Sequence, residues 1–129
     1  MVIDEFRAHK KLYVKWISNQ MGWGVFTDEP ILSGETIETC YCLIDGIQTA
    51  PHQDYIFRVT PDSGYVYHAL GYGAIYNHSD SSNIIWRTID IKRQIIRFYA
   101  KRDILAGEEL RWNYGKNYWR DRENKKKLI

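Results

Sequence analysis

No apolar run in the 129-residue chain approaches the ~20 residues that cross a bilayer. Nor does a basic, apolar, small-residue leader open it. The expectation is a soluble, non-secreted protein acting in the cytosol or nucleus, with no membrane partner. Repeats and low-complexity linkers are also missing, which leaves one domain over residues 1–129. Cysteine is limited to Cys40 and Cys42. Two residues apart on a strand they share a face, a poor geometry for a mutual disulfide. A structural zinc site asks for four nitrogen or sulfur ligands, and there is no second cysteine pair. The expectation is therefore buried free thiols and no metal. Neither sign of charge dominates: 18 Lys and Arg stand against 16 Asp and Glu, for a net +2. With 44% hydrophobic and 26% charged residues the composition is globular, which excludes a disordered tail protein. A chain of this length buries roughly two-thirds of its unfolded surface, enough for a core.

Phenylalanine is scarce too, at 4 residues, while there are 10 Tyr and 5 Trp. Rings with a polar tip suit half-buried walls, channels and stacking surfaces. The charge is uneven. Residues 116–129 carry six basic and two acidic side chains, leaving the first 115 residues at −2. A basic stripe on the fold itself would mark a nucleic-acid binder, so nucleic acid is expected to be met only indirectly. The basic residues of 120–129 read as a solvated tail.

Alternation and turn residues predict short strands with little helix. They fall at 12–17, 23–26, 36–44, 65–69, 84–89 and 94–99, with a strand or short helix at 54–59. A turn at Ala106-Gly107 precedes a segment 109–114, and helical character is confined to about 115–126.

Three segments carry candidate chemistry. Gly22-Trp23-Gly24 allows a tight turn and a close backbone approach to a ligand, but alone it reads as an ordinary turn. Asn77-His78-Ser79, followed by Asn83, forms a polar cluster that either locks loops or grips a ligand. Gly107-Glu108-Glu109 leads to Trp112 and Tyr114, with Tyr118 and Trp119 beyond; alone it reads as a core strand.

Together, in this order, the segments resemble the SET-domain protein-lysine methyltransferases over residues ~12–119. The short free-standing SET enzymes of large DNA viruses are the nearest in pattern. Shared features are the Cys40-Tyr41-Cys42 strand, Asp54-Tyr55-Ile56-Phe57 and the run from Ala69 through Ser79. The Tyr114-Gly115 to Tyr118-Trp119 ending is shared as well. The resemblance implies a mostly β, β-clip-like SET fold of short curved sheets with a knot-like C-terminal substructure. It implies S-adenosylmethionine as methyl donor, S-adenosylhomocysteine as product, and a lysine in a basic protein tail, a histone's above all, as acceptor. Trp23, Gly24, Asn77, His78, Tyr114 and Trp119 would then bind the cofactor. Tyr114 and Tyr55 would be catalytic, and Tyr55, Trp112 and Tyr72 would line the lysine channel. His78 is not needed as a base. Trp112 is larger than the usual aromatic there, which leaves the degree of methylation open.

Ser82 stands before Asn83 where the family often has proline, which would loosen that loop. No cysteine-rich zinc segment flanks the domain. Closure of the lysine channel therefore falls to residues 115–129 or to a second subunit, and the viral enzymes point to a homodimer. The competing readings are a catalytically inactive SET-like module binding a peptide or nucleic acid, and an aromatic single-strand binder. The second leaves the Asn-His-Ser and Gly-Glu-Glu segments without a role.

Overall fold

Alternation of apolar and polar residues between glycine-bearing turns produces ten short strands among residues 6–46, 56–58 and 65–114, the part that the computed structural model describes. The longest, β4 (Thr36–Gly46), organises the rest. One of its edges pairs antiparallel with β9 (Ile95–Ala100). Its other edge takes β1 (Arg7–Ala8) and then β6 (Tyr65–Ala69). β9 carries β8 (Ile84–Asp90) outward, and β6 carries β5 (Ile56–Arg58), which completes a six-stranded sheet. Residues on both faces of β4 are covered: Ile37, Glu38, Thr39, Cys40 and Cys42 are all buried.

Two small sheets stand apart. β2 (Leu12–Ser18) and β3 (Gly22–Thr27) form an antiparallel hairpin, entered at Gly22 with φ +73°. This left-handed backbone suits glycine. After β6 a single 3-10 turn, Gly71–Ala74, leads to β7 (Asn77–His78). β7 pairs in parallel with β10 (Arg111–Trp112). A parallel pair so short and so distant in sequence needs tertiary support. The core supplies it, with Val25, Ile31, Ile37, Ile96, Phe98, Ile104 and Leu110 packed together. Burying a side chain such as Phe98 contributes about 1.5–3 kcal/mol.

The expected strands at 12–17, 23–26, 36–44, 65–69, 84–89 and 94–99 are present with ends shifted by one or two residues. Of 54–59, residues 56–58 are strand rather than helix. Segment 109–114 is different, since only Arg111–Trp112 is strand. The chain changes partners along its length. The Gly107 N–H donates to the Thr27 carbonyl, and the Leu110 N–H to the Val25 carbonyl, so 107–110 follow β3. By Ser79, whose N–H donates to the Trp112 carbonyl, the partner is the β7 strand. The helical expectation for 115–126 lies outside the described residues.

Cys40 and Cys42 are free and buried, as their shared strand face requires. Burial pushes both thiols up, Cys42 to about 12. Neither is a nucleophile at neutral pH.

Candidate active site

The three segments singled out in the sequence meet where the β2–β3 hairpin abuts the β7–β10 pair. Asn77, 1% exposed, joins them. Its Nδ2 donates to the Trp23 carbonyl at 3.1 Å and to Glu109 Oε2 at 2.7 Å. Arg111 holds the other carboxylate oxygen, through Nε at 2.8 Å and Nη2 at 2.6 Å. The Gly-Glu-Glu segment contains Glu109, but nothing in the motif marks its side chain as part of the site. Strand spacing offered the signal, because Glu109 and Arg111 are two apart and share a face.

Glu109 also explains Gly24. A Cβ there would lie 2.5 Å from Glu109 Oε2 and 2.7 Å from Ile17 Cδ1. These two side chains, rather than a ligand, are what the structure shows against this glycine. Gly24→Ala is expected to destabilise the protein by about 1–3 kcal/mol, as overpacking does. Glu109 cannot yield without releasing Asn77 or Arg111. Urea unfolding measures the loss, and unchanged stability would mean that the carboxylate has another place to go.

His78 is buried and fixed at both ring nitrogens. The Tyr114 amide donates to Nδ1 at 3.0 Å. The ring proton therefore sits on Nε2, which donates to Asp80 Oδ1 at 2.7 Å. A ring so engaged is a positioning element rather than a base. The main-chain bond from Tyr114 also brings that residue's ring beside the imidazole, with centroids 5.2 Å apart. The Tyr114 hydroxyl donates to the Tyr76 carbonyl at 2.6 Å. Trp112 packs on Tyr114 at 4.7 Å, and Trp86 meets Trp112 nearly edge-on at 6.5 Å.

Asn77, His78, Trp112 and Tyr114 thus form one continuous group, and the Trp23 main chain reaches it. The Trp23 indole faces outward, 54% exposed, with its ring T-shaped against Trp16. Tyr72 is placed differently. Its hydroxyl reaches the Leu12 carbonyl at 3.4 Å and its amide donates to Glu38. Tyr55 and Trp119 lie outside the described residues.

Part of the polar cluster locks loops. Asn83 does so: its Nδ2 donates to the Glu109 carbonyl and its Oδ1 accepts the Arg111 N–H, each at 2.8 Å. Its own N–H donates to the Arg111 carbonyl. Ser82 is buried. The loop expected to be loosened by the missing proline is tied down by these bonds instead. Among the described residues no three His, Cys, Asp or Glu side chains converge as metal ligands do.

Comparison with known proteins agrees with this arrangement. Residues 22–115 match the SET domain model. An H3 lysine-37 specific histone-lysine N-methyltransferase of Schizosaccharomyces pombe is 31% identical over 108 residues, covering 79% of this chain and 72% of that protein. The histone-lysine N-methyltransferase ATXR7 of Arabidopsis thaliana is 31% identical over 127 residues, 87% of this chain but only 9% of that longer protein. Among solved structures, a candidate histone methyltransferase from Plasmodium falciparum superposes with a TM-score of 0.70 at 31% identity, covering 86% of this chain and 98% of that one.

Proposed function

The chain belongs to the SET-domain family, and on that premise we propose that it is a protein-lysine methyltransferase using S-adenosylmethionine, with a histone tail as its protein substrate. The observation that carries this reading is the Tyr114 hydroxyl seated on the Tyr76 carbonyl, walled by the His78 and Trp112 rings.

The donor set fits a sulfonium methyl donor. Two oxygens converge beside aromatic faces, and polarised C–H groups and cations are attracted to such surroundings. When bound, S-adenosylmethionine supplies an electrophilic methyl group on positively charged sulfur. The acceptor must be a neutral amine, yet free lysine has a pKa near 10.4. Burial among aromatic rings disfavours the ammonium and lowers that value. Trp112 and Tyr114 supply such walls, and their faces also accept methylated ammonium products. In this proposal the Tyr114 hydroxyl orients the amine and the methyl at the transfer point. The main chain of Trp23 and Gly24, together with Asn77 and His78, holds the cofactor. Positioning of this kind supplies much of the rate of an in-line displacement.

Tyr55 and Tyr72 in the lysine channel, Trp119 at the adenine and a homodimer that closes the channel belong to the same proposal, supported by the family pattern alone. An intracellular site of action, in the cytosol or nucleus, is supported by the histone methyltransferase relatives. Among the described residues no helix is long and apolar enough to cross a membrane.

The test is transfer of labelled methyl from S-adenosylmethionine to a histone mixture, followed by mass spectrometry. The expected result is a methylated lysine on one histone tail. Cofactor binding by calorimetry without any transfer would point to another protein substrate. No cofactor binding at all would return the non-catalytic peptide-binding reading.

A further inference from the structure

Glu38 lies on β4 at 3% exposure, on the same strand face as Cys40 and Cys42. A carboxylate there is costly to bury, and an apolar residue would serve the core better. Its surroundings show what it does. Oε1 accepts the Tyr76 hydroxyl at 2.8 Å, and Oε2 accepts the Tyr72 amide at 2.8 Å. The neighbouring Gly73 amide and Cys40 thiol also favour its charged form. Burial still holds its pKa above the usual carboxylate range. The turn lies directly against the carboxylate: a Cβ on Gly71, at φ +79°, would come within 2.6 Å of Oε2.

Tyr76 connects this buried group to the site. Its ring, 2% exposed, packs edge-on against Phe98 at 4.7 Å, its tip is held by Glu38, and its carbonyl receives the Tyr114 hydroxyl. We propose that Glu38 is a positioning residue for methyl transfer, fixing through Tyr76 the carbonyl on which the Tyr114 hydroxyl rests. Through the Tyr72 amide it also sets the turn that delivers Asn77 and His78. The inference rests on the methyltransferase reading, but its structural half is separable from it.

The experiment uses the full chain and three variants: Glu38→Gln, Tyr76→Phe and Tyr114→Phe. Tyr76→Phe deletes only the hydroxyl that Glu38 holds and keeps the ring, its packing and the carbonyl, so it carries the test if Glu38→Gln does not fold. Tyrosine labelled at the ζ carbon reports on Tyr114 by NMR without cofactor, its signal being the one lost in Tyr114→Phe. The expected result is a shifted or split Tyr114 signal in Tyr76→Phe and Glu38→Gln. In Tyr76→Phe it should be accompanied by a fall in kcat of about tenfold, the scale of a slightly misplaced reacting group, with KM for both substrates nearly unchanged. In the Tyr114→Phe background, adding Tyr76→Phe should lower kcat no further. An unmoved Tyr114 signal in both variants would overturn the proposal. So would full loss of kcat added on top of Tyr114→Phe. If the unmutated chain transfers no methyl group, the methyltransferase reading fails, and the NMR signal still decides whether Glu38 positions Tyr114.

Discussion

Tyr114→Phe is expected to remove nearly all methyl transfer while leaving the protein folded and able to bind cofactor. The ring would keep its place, because the Tyr114 amide still donates to His78 and the aromatic contacts with His78 and Trp112 need no hydroxyl. Only the oxygen is lost, at the point where the proposed reaction moves charge from sulfur to nitrogen. Deleting one preorganised polar group at such a point lowers kcat by about 100- to 1000-fold in other enzymes. The structural cost is small by comparison. The Tyr76 carbonyl loses one donor, worth about 1 kcal/mol, which amounts to a few degrees in Tm. Single-turnover transfer at saturating S-adenosylmethionine measures the first effect, and thermal unfolding the second. A rate close to that of the unmutated protein would take Tyr114 out of the reaction.

Period-2 alternation made most of the large sheet legible, although its β8–β9 turn, Ile91 to Gln94, carries no glycine. Alternation does not name a strand's partner. That β4 shares one edge between β1 and β6 follows from tertiary packing and has no local signature. The same holds for the two-residue parallel pair of β7 with β10. The family motifs picked out Asn77, His78, Trp112 and Tyr114 as residues that belong together, and these do meet. Tyr72 was grouped with them by resemblance, but its hydroxyl turns toward β2.

Two carboxylates were overlooked for one physical reason. A glutamate on a strand is ordinarily solvated, so Glu38 and Glu109 drew no attention as side chains. The sequence did carry a hint for Glu38, since residues 38, 40 and 42 fall on one face and two of them are cysteines. A face that holds two thiols is a buried face, and a carboxylate on it must find donors. For Glu109 the hint was Arg111 two residues on. Its remaining partner, Asn77, comes from a segment 32 residues away and is visible only in three dimensions.

That partnership sets the second large expectation. Glu109→Ala should lower stability by about 2–3 kcal/mol, or about 10 °C in Tm for a chain of this size. Removing one member of a buried pair leaves the other charge without compensation, and here the Glu109 side chain is 7% exposed and that of Arg111 27%. The partial exposure of Arg111 lets water take over some of the lost interaction, which keeps the loss below the 3–5 kcal/mol typical of fully buried pairs. Asn77 adds to it, since its amide loses the Glu109 acceptor while keeping its bond to the Trp23 carbonyl. Arg111→Ala in the Glu109→Ala background should recover part of the stability, because the unpaired guanidinium is then gone. An additive double mutant would show that the two side chains are not coupled. The functional consequence follows from the same bonds. With Glu109 absent, the Asn77 amide loses one of the acceptors that orient it, and the space above Gly24 opens. S-adenosylmethionine affinity, read by calorimetry, should fall in Glu109→Ala even at temperatures where the variant is fully folded. Unchanged affinity would separate this network from the cofactor and leave it the single task of joining β3 to β10.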